Sequence, residues 1–285
     1  MPELPELEAL VRALDGPLRA APVEGRPTAH FAVLKTFEPP LAGLDGRRLI
    51  GARRRGKYLL FDVEDGTTLT MHLMSAGRVG YHASGTRQPK GTGAALRIAF
   101  ADGASLVATE GGTKKRMRVG LYTPEGLATL LDGLGPEPLD PTFDRAALDA
   151  VLDAASHRLH PLLRDQRAVA GIGRAFANEI LHAARLSPFA MSDRLDDDGR
   201  ERLLQAVRDT LGHALAVCEQ RMGPQLPARN DARPLVIHKH EGEPCPRCSE
   251  TLRFVDYEEH RIVYCPRCQT GGRLLADRRM SRLLK

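Results

Sequence analysis

The chain opens with apolar residues at a helical period, Leu4, Leu7, Leu10, Val11 and Leu14, which predicts a helix from about residue 3 to 14. Short apolar runs then take over. Tyr58–Phe61, Leu69–Leu73, Leu96–Phe100, Leu106–Val107 and Val119–Tyr122 read as strands, and Asp65-Gly66 and Asp102-Gly103 between them carry hairpin-turn signals. Many short strands separated by turns suggest a β-sandwich or barrel with the first helix packed across it. Residues 83–93 have loop composition. The pattern changes at Gly133-Leu134-Gly135-Pro136-Glu137-Pro138, a Pro/Gly linker, and beyond it helices are expected over 144–154, 159–165, 174–184 and 196–219. Residues 223–234 hold three prolines and read as a loop before the cysteine-bearing end of the chain.

Composition changes this picture little. A length of 285 residues suits two domains, or one plus a small module, and 42% apolar residues can fill ordinary cores. No stretch is long and apolar enough to span a membrane, and the N-terminus lacks a basic region followed by an apolar run, so a cytoplasmic protein is expected. The net charge of +5 permits a polyanionic partner. Its clustering says more. Arg53-Arg54-Arg55-Gly56-Lys57 and Lys114-Lys115-Arg116-Met117-Arg118 each place four cations in five residues, and the tail after Gly272 carries five against one acid. One such run is ordinarily a solvated face; three favour a phosphate backbone.

The five cysteines divide into four and one. Cys245, Cys248, Cys265 and Cys268 form two C-x2-C pairs sixteen residues apart. That is metal-ligand spacing, suited to a tetrahedral zinc site that holds together a hairpin too small for its own core; iron in the same cage is the less favoured choice. A purely structural zinc ribbon is the plain reading. Cys218 stands alone in a helical stretch, as a small buried apolar residue would.

The stretch Met1-Pro2-Glu3-Leu4-Pro5-Glu6 carries the most chemistry. Initiator methionine is normally removed before a small residue, which would leave Pro2 as a secondary amine with a pKa near roughly 8. Its unprotonated form can attack a carbon of aldehyde oxidation state and give an iminium ion, an electron sink that acidifies neighbouring protons. Glu3 beside it and Glu6 one helical turn along are placed to handle those protons. On these six residues alone a plainer reading prevails: a helix-start proline followed by acids that favour the helix dipole. Lys57, after Gly56 and before an apolar strand, is either a solvated strand-edge lysine or a phosphate and proton-transfer group; spacing leaves both open. Gly171-Ile172-Gly173 would let backbone N–H groups at the start of the next helix approach an anion, although glycines between helices are also ordinary turns.

Taken together, separated stretches agree. Met1–Glu6, Gly56-Lys57-Tyr58-Leu59, Leu134-Gly135-Pro136-Glu137-Pro138, the run from Leu162 to Glu179, and the cysteine hairpin ending Tyr264-Cys265-Pro266-Arg267-Cys268-Gln269 span nearly the whole chain. In that order they resemble the formamidopyrimidine-DNA glycosylase/endonuclease VIII family of base-excision repair enzymes. The resemblance implies an α+β fold: an N-terminal β-sandwich with its helix over residues 1–125, a linker over 126–140, a helix–two-turn–helix domain over 141–225, a zinc-finger β-hairpin over 236–270 and a basic tail over 271–285. It implies a bifunctional glycosylase and abasic-site lyase for oxidised bases, a monomer that binds double-stranded DNA holding damaged bases or abasic sites in a basic cleft between its domains, with one structural zinc ion and no diffusible cofactor. Damaged bases stack or pair poorly, which lowers the cost of flipping them out.

The resemblance also assigns roles. Pro2 would be the Schiff-base nucleophile at the sugar C1′, Glu3 the proton shuttle, Glu6 its support, and Lys57 a phosphate contact that assists β-elimination. Catalysis would thus fall to Pro2, Glu3, Glu6, Lys57 and Arg261, metal binding to Cys245, Cys248, Cys265 and Cys268. DNA contacts would fall to Lys57, Met74, Arg116, His160, Arg174, Asn178, His260 and Arg261.

Several positions depart from the family pattern. Leu73-Met74-Ser75-Ala76-Gly77 lacks the usual glycine before Met74, which would still fill the vacated stack. Lys115-Arg116-Met117-Arg118 replaces an Arg-Phe wedge, Arg174 replaces an asparagine, and His260 stands where an arginine is usual, with Arg261 beside it. Either Arg261 serves δ-elimination through a shifted register or that step is weakened. Cys218–Pro227 is shorter than the loop that closes over 8-oxoguanine in the family and lacks its Gly-Gly-(Ser/Thr)-Thr stretch. This favours oxidised pyrimidines, ring-opened purines or abasic sites over 8-oxoguanine paired with cytosine. The rival expectations are a DNA-binding zinc protein of the same fold with lost or altered catalysis, and a monofunctional glycosylase in which Glu3 activates water.

Overall fold

The computed structural model describes residues 1–86, 94–111, 114–225, 233–257 and 260–276, with the backbone alone at 257 and 260. Parts of the expected loop (87–93), of the proline-bearing segment (226–232) and of the basic tail (277–285) lie outside them. The chain forms two compact units, one of Met1–Gly133 with Ala214–Arg233, the other of Leu134–His213 with Pro234–Lys285.

In the first unit, helix α1 spans Leu4–Leu18, with Glu3 at its N-cap and Pro5 in its first turn. Leu4, Leu7, Leu10, Val11, Leu14 and Leu18 all lie on its buried side. Burial of Leu18 carries the helix past Gly16-Pro17, four residues beyond the expected end. Eight strands follow: β1 (Thr28–Ala29), β2 (Leu49–Arg55), β3 (Tyr58–Val63), β4 (Thr68–His72), β5 (Gly77–His82), β6 (Ala94–Ala99), β7 (Ser105–Glu110) and β8 (Arg118–Tyr122). They form two antiparallel sheets, ordered β1-β6-β7-β5 and β2-β3-β4-β8. The two turn signals hold: Gly66 and Gly103 adopt the positive φ that such turns require.

α1 packs on β2, where the Ala52 amide donates to Asp15 Oδ1 at 2.8 Å and Arg54 pairs with Glu8 at 3.0 Å. β2 holds part of the first basic run. Arg53 is paired with Asp62 at 2.8 Å, and the Arg54 side chain is only 6% exposed, so two of the four cations expected to face phosphate are engaged within the unit. A further helix, α2 (Pro124–Leu131), is capped by Thr123 Oγ1, which accepts from the Gly126 amide at 3.2 Å. It occupies the start of the stretch expected as linker.

The second unit is helical: α3 (Arg145–Asp153), α4 (Leu159–Arg164), α5 (Arg174–Ala183) and α6 (Asp197–Arg221), whose residues from Ala214 belong to the first unit. The turns joining α4 to α5 are organised by one side chain. Gln166 donates from Nε2 to the Arg164 and Ile172 carbonyls and accepts from the Gly171 amide, all at 2.8–2.9 Å. The Leu134–Pro138 stretch is tied to the same turns, because Gly135 N–H donates to the Gln166 carbonyl and Ala170 N–H to that of Pro136. A Cβ at Gly135 would stand 2.5 Å from the Arg167 carbonyl oxygen, so only glycine fits there. The unit ends in the hairpin β9 (Arg253–Tyr257) and β10 (His260–Tyr264), followed by the short helix α7 (Pro266–Thr270). Among the described residues no helix is long and apolar enough to cross a membrane.

Candidate active site and metal centre

The N-terminal site is built where α1 begins. Pro2, Glu3 and Glu6 are all buried, Glu3 and Glu6 each 3% exposed. The Glu3 amide donates to Glu6 Oε2 at 3.2 Å, so the helix cap fixes the two carboxylates relative to Pro2. Glu6 Oε1 accepts from Arg233 Nε, and Arg233 Nη2 donates to the Met1 carbonyl. Both side chains of this ion pair are 4% exposed. Burial raises the Glu6 carboxyl above its usual range, opposed by Arg233. Burial, and then Arg233, lowers the Met1 ammonium to about 6. Cys218 faces the same surroundings, and its burial pushes the thiol up to about 12, in keeping with an inert apolar role.

Lys57 lies at the tight turn between β2 and β3, after Gly56 with its positive φ, and is 8% exposed. It is therefore no solvated edge lysine. His72 shares this surrounding: burial and the charges of Lys57 and Arg118 lower it to about 4, so it is neutral at pH 7. Its ring packs edge-on against Tyr58 and its Nδ1 accepts from the Met74 amide at 3.2 Å. Met74 sits at a φ of 51°, where a side chain is rarely tolerated, and remains partly exposed. Gly77 lies close by, with Met117 against it. Met117 is fully buried, while Arg116 is exposed and its backbone N–H is held by the Glu110 carboxylate.

In the second unit Arg174 is exposed at the first turn of α5, whereas His160 and Asn178 are buried. Asn178 bonds His238 through its amide nitrogen at 2.8 Å. Glu179 accepts from the backbone amides of Val236, Ile237 and His238 at 2.8–3.1 Å. These contacts bind α5 to the turn at Val236–His238 before the cysteine hairpin, so Asn178 sits inside the fold.

Cys245, Cys248, Cys265 and Cys268 place their sulfurs within 4.8 Å of one another. Three of the separations are 3.4, 3.5 and 4.0 Å. Four sulfurs around one zinc ion would lie about 3.8 Å apart, and a disulfide would need about 2 Å. The backbone at Glu250 draws the Cys248 thiol down to about 7, while burial raises Cys265 and Cys268. Keeping all four as thiolates therefore needs a cation, and the cluster fits one metal ion. His182 contacts Cys245 Sγ through Nε2 at 3.3 Å, and Arg247 donates to the His182 carbonyl at 2.8 Å. Gln269 donates to the Leu186 carbonyl at 2.9 Å and accepts from the Cys265 amide, so the metal knuckles are fastened to α5 and the turn after it.

Arg261 is on β10 and adjacent residues of a strand face opposite ways. Its guanidinium pairs with Glu241 at 2.9 Å and Asp256 at 3.4 Å, and lies 3.9 Å over the Phe254 ring. The side chain of His260 lies outside the described residues. Sequence reasoning missed Arg233, which is 227 positions from its partner Glu6 and carries no local pattern. It also missed His72 and His182.

Residues 1–113 match the formamidopyrimidine-DNA glycosylase N-terminal domain, and residues 134–223 match the formamidopyrimidine-DNA glycosylase H2TH domain. The fold resembles that of the Lactococcus lactis enzyme solved with DNA containing an abasic site, with a TM-score of 0.82 at 25% identity over 94% of this chain and 99% of that one. It also resembles the MutM protein of Thermus thermophilus, with a TM-score of 0.79 at 29% identity over 94% and 98%. These likenesses define the class as the fold of DNA base-excision glycosylases. The formamidopyrimidine-DNA glycosylase of Thermomicrobium roseum is 34% identical over 94% of this chain and 99% of its own length. The chain belongs to the formamidopyrimidine-DNA glycosylase family.

Proposed function

We propose that this chain excises oxidised bases from double-stranded DNA and cuts the resulting abasic strand, using the Pro2 amine once Met1 has been removed. The observation that carries this reading is the buried cluster of Pro2, Glu3, Glu6 and Arg233 at the start of α1. The amine attacks C1′, the base leaves, and the sugar ring opens to an iminium ion. That ion withdraws electrons from C2′, whose proton is lost before the 3′ phosphate departs. Glu3 handles protons at the sugar, with Glu6 in support, and Lys57 contacts phosphate. Arg174 and Arg116, both exposed, contact the backbone, and Met74 fills the vacated stack. Borohydride should trap the wild-type protein on an abasic duplex and trap Pro2→Gly at a rate lower by at least about 100-fold. Equal trapping and cleavage by the two would sink the assignment.

Zinc is the metal we infer for the four cysteines, because thiolate ligands at tetrahedral spacing suit it. It would be structural, holding the hairpin whose backbone β10 carries Arg261. Arg261 is engaged by two carboxylates, which favours the second of the two alternatives, a weakened δ-elimination. The β-elimination product should therefore accumulate.

For substrate, the segment after α6 is pinned to β5: the Tyr81 amide donates to the Pro224 carbonyl at 2.9 Å and Gln225 bridges to Gly80. Pro224 and Gln225, held against β5, support the preference for oxidised pyrimidines, ring-opened purines and abasic sites. Single-turnover excision that released 8-oxoguanine faster than thymine glycol or 5-hydroxyuracil would overturn it.

A further inference from the structure

With Met1 in place, the atom bonded to the Pro2 nitrogen is the Met1 carbonyl carbon. In the covalent intermediate of the proposed reaction that position belongs to C1′ of the nucleotide. The Met1 carbonyl oxygen then stands in for an oxygen carried by C1′, and once the base has left the sugar has one such oxygen, O4′. The Met1 oxygen accepts a hydrogen bond from Arg233 Nη2. Resting on the reading of Pro2 as nucleophile, we propose that Arg233 is a catalytic residue whose guanidinium donates to O4′ as the C1′–O4′ bond breaks.

The step balances. The neutral amine forms the N–C1′ bond while the glycosidic bond breaks, and the base leaves with that electron pair and takes up the proton that the amine gives away. The nitrogen lone pair then makes the second bond to C1′. The C1′–O4′ pair passes to O4′, which takes a proton from the Glu3 carboxylic acid and leaves a hydroxyl on C4′ and an iminium at C1′. Arg233 keeps its protons throughout and acts on the charge that develops on O4′.

The setting suits this role. The guanidinium is anchored through Nε on Glu6, itself fixed by the Glu3 amide, so Nη2 is aimed at the oxygen with little freedom. At 4% exposure the side chain is shielded from water, where a charge-assisted hydrogen bond is strongest. A merely structural alternative exists: Arg233 neutralises Glu6 and does nothing more.

Single-turnover borohydride trapping on an abasic duplex separates the two, with binding to a duplex holding an unreactive tetrahydrofuran analogue measured alongside. Arg233→Met should slow trapping by about 100-fold, the effect of removing one donor to a developing oxyanion, and leave analogue binding within about two-fold. Arg233→Lys, which keeps the charge, should recover part of the rate. Arg233→Met leaves the Glu6 carboxylate buried alone and can compromise folding, so the deciding comparison is Glu6→Gln with and without Arg233→Met. If the double variant is as much slower than Glu6→Gln as Arg233→Met is slower than wild type, the proposal stands. Should the double variant match Glu6→Gln, Arg233 only balances a charge and the proposal falls. A failure of the Pro2 reading is distinguishable, because Pro2→Gly would then trap like wild type; that result would overturn the role of Arg233 as well.

Discussion

The two chemically loaded regions are held in opposite ways. Around Pro2, the charged groups sit in a packed apolar setting: Leu4, Leu7 and Leu10 are fully or almost fully buried beside Glu3 and Glu6, and a buried arginine closes the site. The cysteine hairpin has little to pack. Its core is Ile237, Cys245, Leu252, Val263 and Cys265, and two of those five are themselves metal-cluster thiols. The first region depends on a partner charge being present, the second on an ion. Each should therefore fail by its own route, and removing the wrong component should leave the other region standing.

The sharpest break in that comparison is metal removal. Cys265→Ser, or a strong chelator, should bring metal content toward zero and unfold the hairpin, a loss on the order of 10 kcal/mol of binding-coupled folding. Proteolysis should then cut near residues 245–268 while α1 and its sheets stay protected. Protection of a metal-free hairpin would contradict the account. Smaller is the effect of Glu6→Ala, which strands the buried Arg233 and should cost roughly 3–5 kcal/mol in chemical denaturation. Replacing both partners by Gln and Met should cost much less, and metal content should not change in either.

The pH profile of trapping sharpens the comparison further. Burial and Arg233 lower the Met1 ammonium to about 6, and the same surroundings acting on the Pro2 amine after Met1 is removed would make the trapping rate rise with pH through a midpoint below the ordinary value of about 8. A midpoint at or above that value would show that burial and Arg233 do not act on the nucleophile. Least of all is expected from Arg261→Ala. Its charge is already answered by Glu241 and Asp256, and strand cleavage should stay within about two-fold of wild type.

Much of this was legible beforehand, for physical reasons. The helices α3 to α6 have clean apolar periodicity, and their observed ends fall within about two residues of the expected ones. The cysteine spacing announces its cluster because the ligands are close in sequence. β2 and β5 were not legible: Gly51, Arg53, Arg54 and Arg55 hide the first, and Gly77, Arg78, Gly80 and His82 the second, since their burial comes from ion pairs and close backbone packing. α2 was missed because the residues from 126 on were assigned to the linker. His160 and Asn178, expected at the DNA surface by resemblance, are buried. Arg233 could not be read at all. A buried ion pair between residues 6 and 233 leaves no local trace, and only the fold brings them together.

The central claim is that the nitrogen of Pro2 becomes bonded to DNA. The most direct measurement is to trap the protein on an abasic duplex with borohydride, digest the adduct, and locate the sugar remnant by tandem mass spectrometry. The account predicts a single modified peptide, lacking Met1, with the remnant on the nitrogen of Pro2. A remnant on Lys57 or any other lysine, or an adduct on a chain that still carries Met1, would contradict it.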